Sequence, residues 1–174
     1  MWKYNGNCRP EFAIPPQTGE ESVWDYPRPP ILQNDSRQIR VCFNGKLIAN
    51  SSAAVRVLET AGAPTFYLPP EDIDTSLLVN VDHRSVCEWK GIATYCKLVE
   101  SDAGAYRLRP CGWQYTNPSP AFATIKNYYS FYPALLDCYV GEEKVLPQPG
   151  DFYGGWVTKE IVGPIKGDPG TEWW

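Results

Sequence analysis

Asn44-Gly45 is the pair that most constrains how this chain folds. Both positions of a two-residue type I′ turn need positive φ, and Asn-Gly reaches that conformation at low cost. Ile39-Arg40-Val41-Cys42-Phe43 alternates before the pair, and Lys46-Leu47-Ile48-Ala49 returns after it. The spacing predicts a β-hairpin in which Phe43 faces Lys46 and Val41 faces Ile48. Val41, Phe43 and Ile48 then share the buried face, with Lys46 snorkelling at its end.

Further short strands follow. Val55-Arg56-Val57-Leu58-Glu59 has a strand pattern, Gly62-Ala63-Pro64 turns the chain, and Thr65-Phe66-Tyr67-Leu68 returns it. Pro69-Pro70 stops that strand, and residues 71–78 read as a short helix whose acids suit the positive end of its dipole. Ser85 to Val99 reads as a long strand region or as a hairpin bending at Gly91. Arg107 to Tyr115 is a broken strand, Asn117-Pro118-Ser119-Pro120 a loop, and Ala121 to Tyr128 a helical turn or two. Tyr129 to Tyr132 is a strand. Asp137 to Val140 and Lys144 to Leu146 flank Gly141-Glu142-Glu143 as a hairpin.

Seven Trp, 11 Tyr and 17 Pro suit short strands and ordered loops rather than a helix bundle. The prolines concentrate in residues 1–36, interleaved with Trp24, Tyr26 and Ile31, and the Gly- and Pro-rich residues 147–174 carry Phe152, Tyr153, Trp156, Trp173 and Trp174. The expectation is an all-β, mainly antiparallel domain over residues 37–146, with one or two short helices. Two aromatic arms, 1–36 and 147–174, pack on it.

Net charge is −4, and each half of the chain carries 8 basic and 10 acidic side chains. No basic stripe exists, so nucleic acid and anionic membrane are not expected partners. No apolar run is long enough to span a bilayer. The start has no apolar signal core, so the expectation is a cytoplasmic protein with reduced thiols at its six cysteines. No Cys-x-x-Cys pair occurs and His83 is the single histidine, so no metal site is expected. Nothing calls for a cofactor.

The chemistry concentrates in Cys87-Glu88-Trp89-Lys90-Gly91. On a strand, Cys87 and Trp89 share one face and Glu88 and Lys90 the other. A partly desolvated Lys90 can hold an anion or act as a base or Schiff-base nucleophile; the plainer reading is an ion pair with Glu88. Glu88 is a candidate acceptor or general base. Glu59 follows an apolar strand and, if it turns inward, needs Lys90 or Arg56 as partner. Trp89, Tyr95, Trp113 and Tyr115 make either an aromatic pocket or ordinary core. Cys87 reads as a buried structural cysteine, because His83 lies too far along an extended strand to activate it. Asp72-Ile73-Asp74 imitates a metal-binding carboxylate pair, but its Pro-Pro-Glu-Asp setting suits helix capping.

The hairpin, Leu58-Glu59, Tyr67-Leu68-Pro69-Pro70-Glu71-Asp72-Ile73 and Cys87-Glu88-Trp89-Lys90-Gly91-Ile92-Ala93-Thr94-Tyr95 together resemble a known family. Trp113-Gln114-Tyr115, Pro118, Pro120 and Tyr128 to Tyr132 extend the match over about residues 39–140. The family is domain of unknown function 427, sometimes labelled nucleotidyltransferase-like, and the flanks resemble its longer cyanobacterial version. The resemblance implies a compact antiparallel β domain, β-tent-like or a small barrel or sandwich, and no established activity. Cys96 stands where the family often has Trp, and Cys111-Gly112 precedes Trp113 where the family often has Ala.

Three functional classes remain open. A soluble binding protein would take a small molecule or partner peptide between Trp89 and Tyr95, oriented by Lys90 and Glu88. An enzyme would use Lys90 or Glu88 as acid or base. A scaffold would use its aromatic arms.

Overall fold

The computed structural model describes residues 2–99 and 109–174. Its organising strand is β5 (Ala54–Leu58), which pairs antiparallel with β2 (Ile31–Asp35) on one side and β6 (Thr65–Tyr67) on the other. All five β5 residues are buried, because both faces of the strand are covered. Val55 and Val57 pack into an aromatic core with Tyr67, Trp113 and Tyr115. Arg56 alternates to the opposite face, where it meets Glu21 of β1 (Glu21–Ser22).

A four-stranded antiparallel sheet runs β10 (Tyr129–Phe131), β9 (Gly112–Gln114), β8 (Gly91–Leu98), β7 (Leu78–Cys87). Leu68, just beyond β6, exchanges both backbone hydrogen bonds with Tyr129 at 2.8 and 2.9 Å, so this sheet abuts the first. A second four-stranded sheet runs β12 (Glu143–Lys144), β11 (Asp137–Val140), β3 (Ile39–Phe43), β4 (Lys46–Ser51). The sheets stay open, and among the described residues none closes into a barrel. Strand β6 divides two cores by its two-residue period. Phe66 joins Ile39, Val41, Ile48 and Phe131 in one, and Tyr67 joins Trp113 in the other.

The β3–β4 turn has Asn44 at φ 49° and Gly45 at φ 77°, and Phe43 faces Lys46 as the I′ geometry requires. Beyond that the register departs from strict alternation. A bulge between Val41 and Cys42 sets Val41 opposite Ala49 instead of Ile48. The extra residue lets Ile48 and Ala49 both go inside. The helix expected over 71–78 is two 3-10 turns, Pro70–Asp72 and Thr75–Leu77. Ile73 between them is extended and bridges Ala49, while Asp74 N–H donates to the Ile48 carbonyl. Strand pairing interrupts the helix.

The terminal segments are part of the packed structure. Trp24 and Trp156 are fully buried, and each indole N–H donates to a backbone carbonyl at 3.0 Å, Pro164 and Phe131 respectively. Burying a side chain of this size contributes about 3 kcal/mol. β13 (Leu146–Pro147) pairs antiparallel with β14 (Trp156–Val157), and β1 pairs parallel with β15 (Ile161–Val162). Phe12 stacks on Trp174 at 5.1 Å between centroids, and Tyr4 meets Trp24 edge-on at 5.2 Å. The arm aromatics thus find partners within the chain. Among the described residues no helix is long and apolar enough to cross a membrane.

Candidate functional site

The run that starts at Cys87 is a hairpin end. Cys87 closes β7 and pairs with Gly91 at the start of β8, leaving Glu88-Trp89-Lys90 as a three-residue turn. Gly91 takes φ +98°, the positive-φ position such a loop needs for closure. Ser119 clamps the turn from the neighbouring loop. Its hydroxyl donates to the Trp89 carbonyl at 2.5 Å and its N–H to the Lys90 carbonyl at 3.1 Å.

This geometry corrects the face assignment expected for a strand. Glu88 is exposed and Lys90 is only 9% exposed, so the two do not share a face. Reversal of the chain at the turn separates them. The Lys90 ammonium lies 5.7 Å from the Phe122 ring centroid and 5.9 Å from that of Tyr115, within range of a cation–π attraction. Cys87, partly buried, packs against the same cluster as Tyr115 and Phe122. Among the described residues, no ion pair joins Lys90 to a carboxylate.

Behind Lys90 is a wall of aromatic donors. Trp113 Nε1 donates to the Tyr67 hydroxyl at 3.1 Å. Trp113 packs on Tyr132 at 4.5 Å between centroids, and Tyr67 lies 6.2 Å from Tyr115. Gly154 seals this wall: a Cβ there would sit 2.1 Å from a Trp113 ring carbon. Burial pushes the Tyr67 and Tyr115 hydroxyls above the ordinary tyrosine value, so they stay protonated donors at neutral pH. Burial also pulls Lys90 down, but Tyr67, Cys87 and Glu59 together outweigh it and hold Lys90 above its ordinary value. Lys90 is therefore a charged group near neutrality.

The structure brings Lys90, Trp113 and Tyr115 together. Trp89 and Tyr95 are partly buried residues at the edge of the same cluster. Tyr95 shares a 2.7 Å hydrogen bond with Ser85 Oγ, and its ring lies 4.6 Å from His83. Glu59 acts on Lys90 through its charge but forms its ion pair with Arg28, at 3.2 Å, instead of Lys90 or Arg56. Arg28 also donates to the Thr60 carbonyl at 2.8 Å. Glu88 is exposed.

Tyr67, Cys87, Phe122 and Gly154 were not among the expected site residues. Tyr67 was accessible through the alternation of β6, but Phe122 and Gly154 come from loops with no such period. The two acids of Asp72-Ile73-Asp74 have local work. Asp72 accepts from Ser51 Oγ at 2.6 Å, and Asp74 caps its turn by accepting from Ser76 N–H at 3.2 Å. Among the described residues no cluster of three or more His, Cys, Asp or Glu is placed to hold a metal ion.

Residues 31–142 match the family model described as domain of unknown function (DUF427). The chain belongs to the DUF427 family. The match opens on β2 and closes in the turn after β11, so the DUF427 unit includes the strand that flanks β5. Lys90, Cys87 and the Tyr67–Trp113 pair lie inside it. Gly154, which closes over Trp113, lies beyond it. No curated protein matches the chain.

Proposed function

We propose that this DUF427 chain binds a small molecule through an anionic group held by Lys90. The observation that carries the reading is the setting of that ammonium. It is nine-tenths buried among two aromatic faces, a thiol and phenols, with no carboxylate ion pair among the described residues. A charge in such surroundings is costly unless something offsets it. An anionic group on a ligand would add a direct partner to a charge that the surroundings already keep on Lys90. Trp89 and Tyr95 at the edge of the cluster would enclose the remainder of the ligand, and the Tyr115 hydroxyl would offer a second hydrogen bond.

Calorimetric titration with phosphate, acetate and benzoate tests this reading. Binding by at least one of them, weakened about tenfold or more in Lys90→Met, is expected. The variant keeps a chain of similar volume, and its circular dichroism should match the parent's. A peptide could present the same carboxylate, and free-acid against amidated peptides compares that ligand with small acids. Failure of all these anions to bind, or equal binding to Lys90→Met, overturns the reading.

A further inference from the structure

Cys96 and Cys111 meet where β8 pairs with β9. Gly112 is the register partner of Cys96, and the Cys111 N–H also donates to the Cys96 carbonyl, at 2.9 Å. Two successive residues at the entry of β9 therefore oppose one residue of β8, the arrangement of a β-bulge. The bulge decides where the Cys111 side chain goes. Simple alternation would put it on the face of Trp113. Cys111 instead lies in the core of Phe131, the β10 partner of Gly112, whereas Trp113 lies in the other core. Leu98, on the Cys96 side of β8, packs against the core that holds Cys111. Cys96 and Cys111 thus turn their thiols to one face.

No side chain separates them. Gly112 has none, and a Cβ there would lie 2.7 Å from the Ser130 carbonyl oxygen and 2.9 Å from the Phe131 ring. Cross-strand residues joined by an amide-to-carbonyl bond have Cα atoms about 5.5 Å apart, inside the range of about 4.4–6.8 Å that a disulfide bridges. Both cysteines are buried and free. Each also displaces the other's ionisation. Cys111 lies below the ordinary thiol value, first because of Cys96, and Cys96 lies above it, first because of Cys111. Among the described residues no other two cysteines stand opposite each other in a sheet.

We propose that Cys96 and Cys111 form a redox-reactive dithiol, which a small hydroperoxide oxidises to a disulfide stapling β8 to the entry of β9. Small thiols reduce it again by exchange. The proposal is independent of anion binding at Lys90. Hydrogen peroxide is uncharged and little larger than water, so local opening admits it to a buried pair. The Cys111 sulfur attacks one peroxide oxygen, the O–O bond breaks, and the departing hydroxide takes the Cys111 proton and leaves as water. Cys111 is then a sulfenic acid. The Cys96 sulfur attacks the Cys111 sulfur, the S–O bond breaks, and the second hydroxide leaves as water with the Cys96 proton. Two thiols lose two electrons in all, and one peroxide is reduced to two waters.

The test treats the full chain with hydrogen peroxide, removes the excess with catalase and blocks remaining thiols with N-ethylmaleimide in urea. Trypsin then leaves Cys96 in peptide 91–97 and Cys111 in peptide 108–126, because Arg109 precedes a proline. Mass spectrometry should find these two peptides as one linked species, two hydrogens lighter than their sum, which dithiothreitol separates. Oxidation carried out in urea should instead give mixed pairings among the six cysteines. The natively oxidised chain should melt about 5 °C or more above the reduced one, because the staple closes residues 97–110 into a loop. These readings need no variant. In Cys96→Ala peroxide should leave the melting temperature where it was.

Recovery of Cys96 and Cys111 as maleimide adducts while Cys8 is oxidised overturns the proposal. So does a link from Cys111 to Cys138 in greater amount, or an equal yield of the 96–111 link in urea. A linked chain that melts no higher than the reduced one removes the staple, and a link that dithiothreitol leaves intact removes the reversible pair.

Discussion

Trp113 Nε1 donates to the Tyr67 hydroxyl at 3.1 Å, across 46 positions of sequence. The bond joins β9 to β6 and so fixes the wall behind Lys90 to the strand that divides the two cores. Tyr67→Phe leaves a buried indole N–H without its acceptor and should cost about 1–2 kcal/mol. Urea denaturation of Tyr67→Phe, Trp113→Phe and the double variant checks it. A coupling of about 1 kcal/mol between the two sites is expected, and strict additivity would mean the bond contributes nothing.

Alkali should unfold the protein. Tyr26, Tyr67, Tyr115 and Tyr132 are all raised above 10.0, each first by burial. The unfolded chain therefore releases these protons at lower pH than the folded one. Their contribution to stability is complete below about pH 10 and is lost as pH climbs through the higher folded values. Lys90, raised above 10.5, acts in the same direction. Phenolate absorbance followed beside circular dichroism should show a block of tyrosines ionising in step with unfolding. Smooth ionisation of every tyrosine with the fold intact would contradict this.

Gly154 should not tolerate a side chain. Its ideal Cβ position lies 2.1 Å from one Trp113 ring carbon and 2.7 Å from another, and an indole held between Gly154 and Tyr132 has little room to retreat. Gly154→Ala should cost about 1–3 kcal/mol through overpacking and shift the tryptophan emission. A variant as stable as the parent would show that this loop yields easily.

The legible parts of the fold were those encoded within a few residues. Asn44-Gly45 specified its turn because positive φ at two successive positions suits few other pairs, and Gly62-Ala63-Pro64 placed β5 and β6 together. The bulge at Val41/Cys42 was hidden, since alternation alone assigns Val41 to Ile48 and only the curvature of the sheet admits the extra residue. Glu88-Trp89-Lys90 was hidden for a related reason. None of its residues is a turn former, and Gly91, which follows them, suits a bend within a strand as well as a hairpin. Strand alternation through that turn puts Glu88 and Lys90 on one face, whereas the structure exposes Glu88 and buries Lys90. Arg28–Glu59 was beyond reach because it joins a proline-rich segment to the end of β5 across 31 positions, where no period connects them.

Arg56 anchors both terminal segments to the central sheet, and its removal should release them. The side chain is 6% exposed and meets Glu21 at 3.1 Å, Asp35 at 3.5 Å and Glu160 at 4.0 Å, with a further hydrogen bond to Gln33 Oε1. Arg37 shares two of those acids, reaching Asp35 at 2.6 Å and Glu160 at 2.7 Å, but is 37% exposed. Burial raises Asp35, yet the Arg37 hydrogen bonds and both guanidinium charges outweigh it and hold the carboxyl below 3.8. Its stabilising effect is present above that ordinary value and disappears as pH falls through the lower folded one. Arg56→Ala leaves the covered Asp35 and its two more exposed neighbours with one cation fewer and should cost about 3 kcal/mol. Arg37→Ala, where solvent screens the pair, should cost about 1 kcal/mol or less. Limited proteolysis should find new cleavage near β1 and β15 in Arg56→Ala before any within β5. Equal stability losses in the two variants would mean that burial confers no advantage on Arg56, and an unchanged cleavage pattern would mean that the arms are held by their aromatic packing alone.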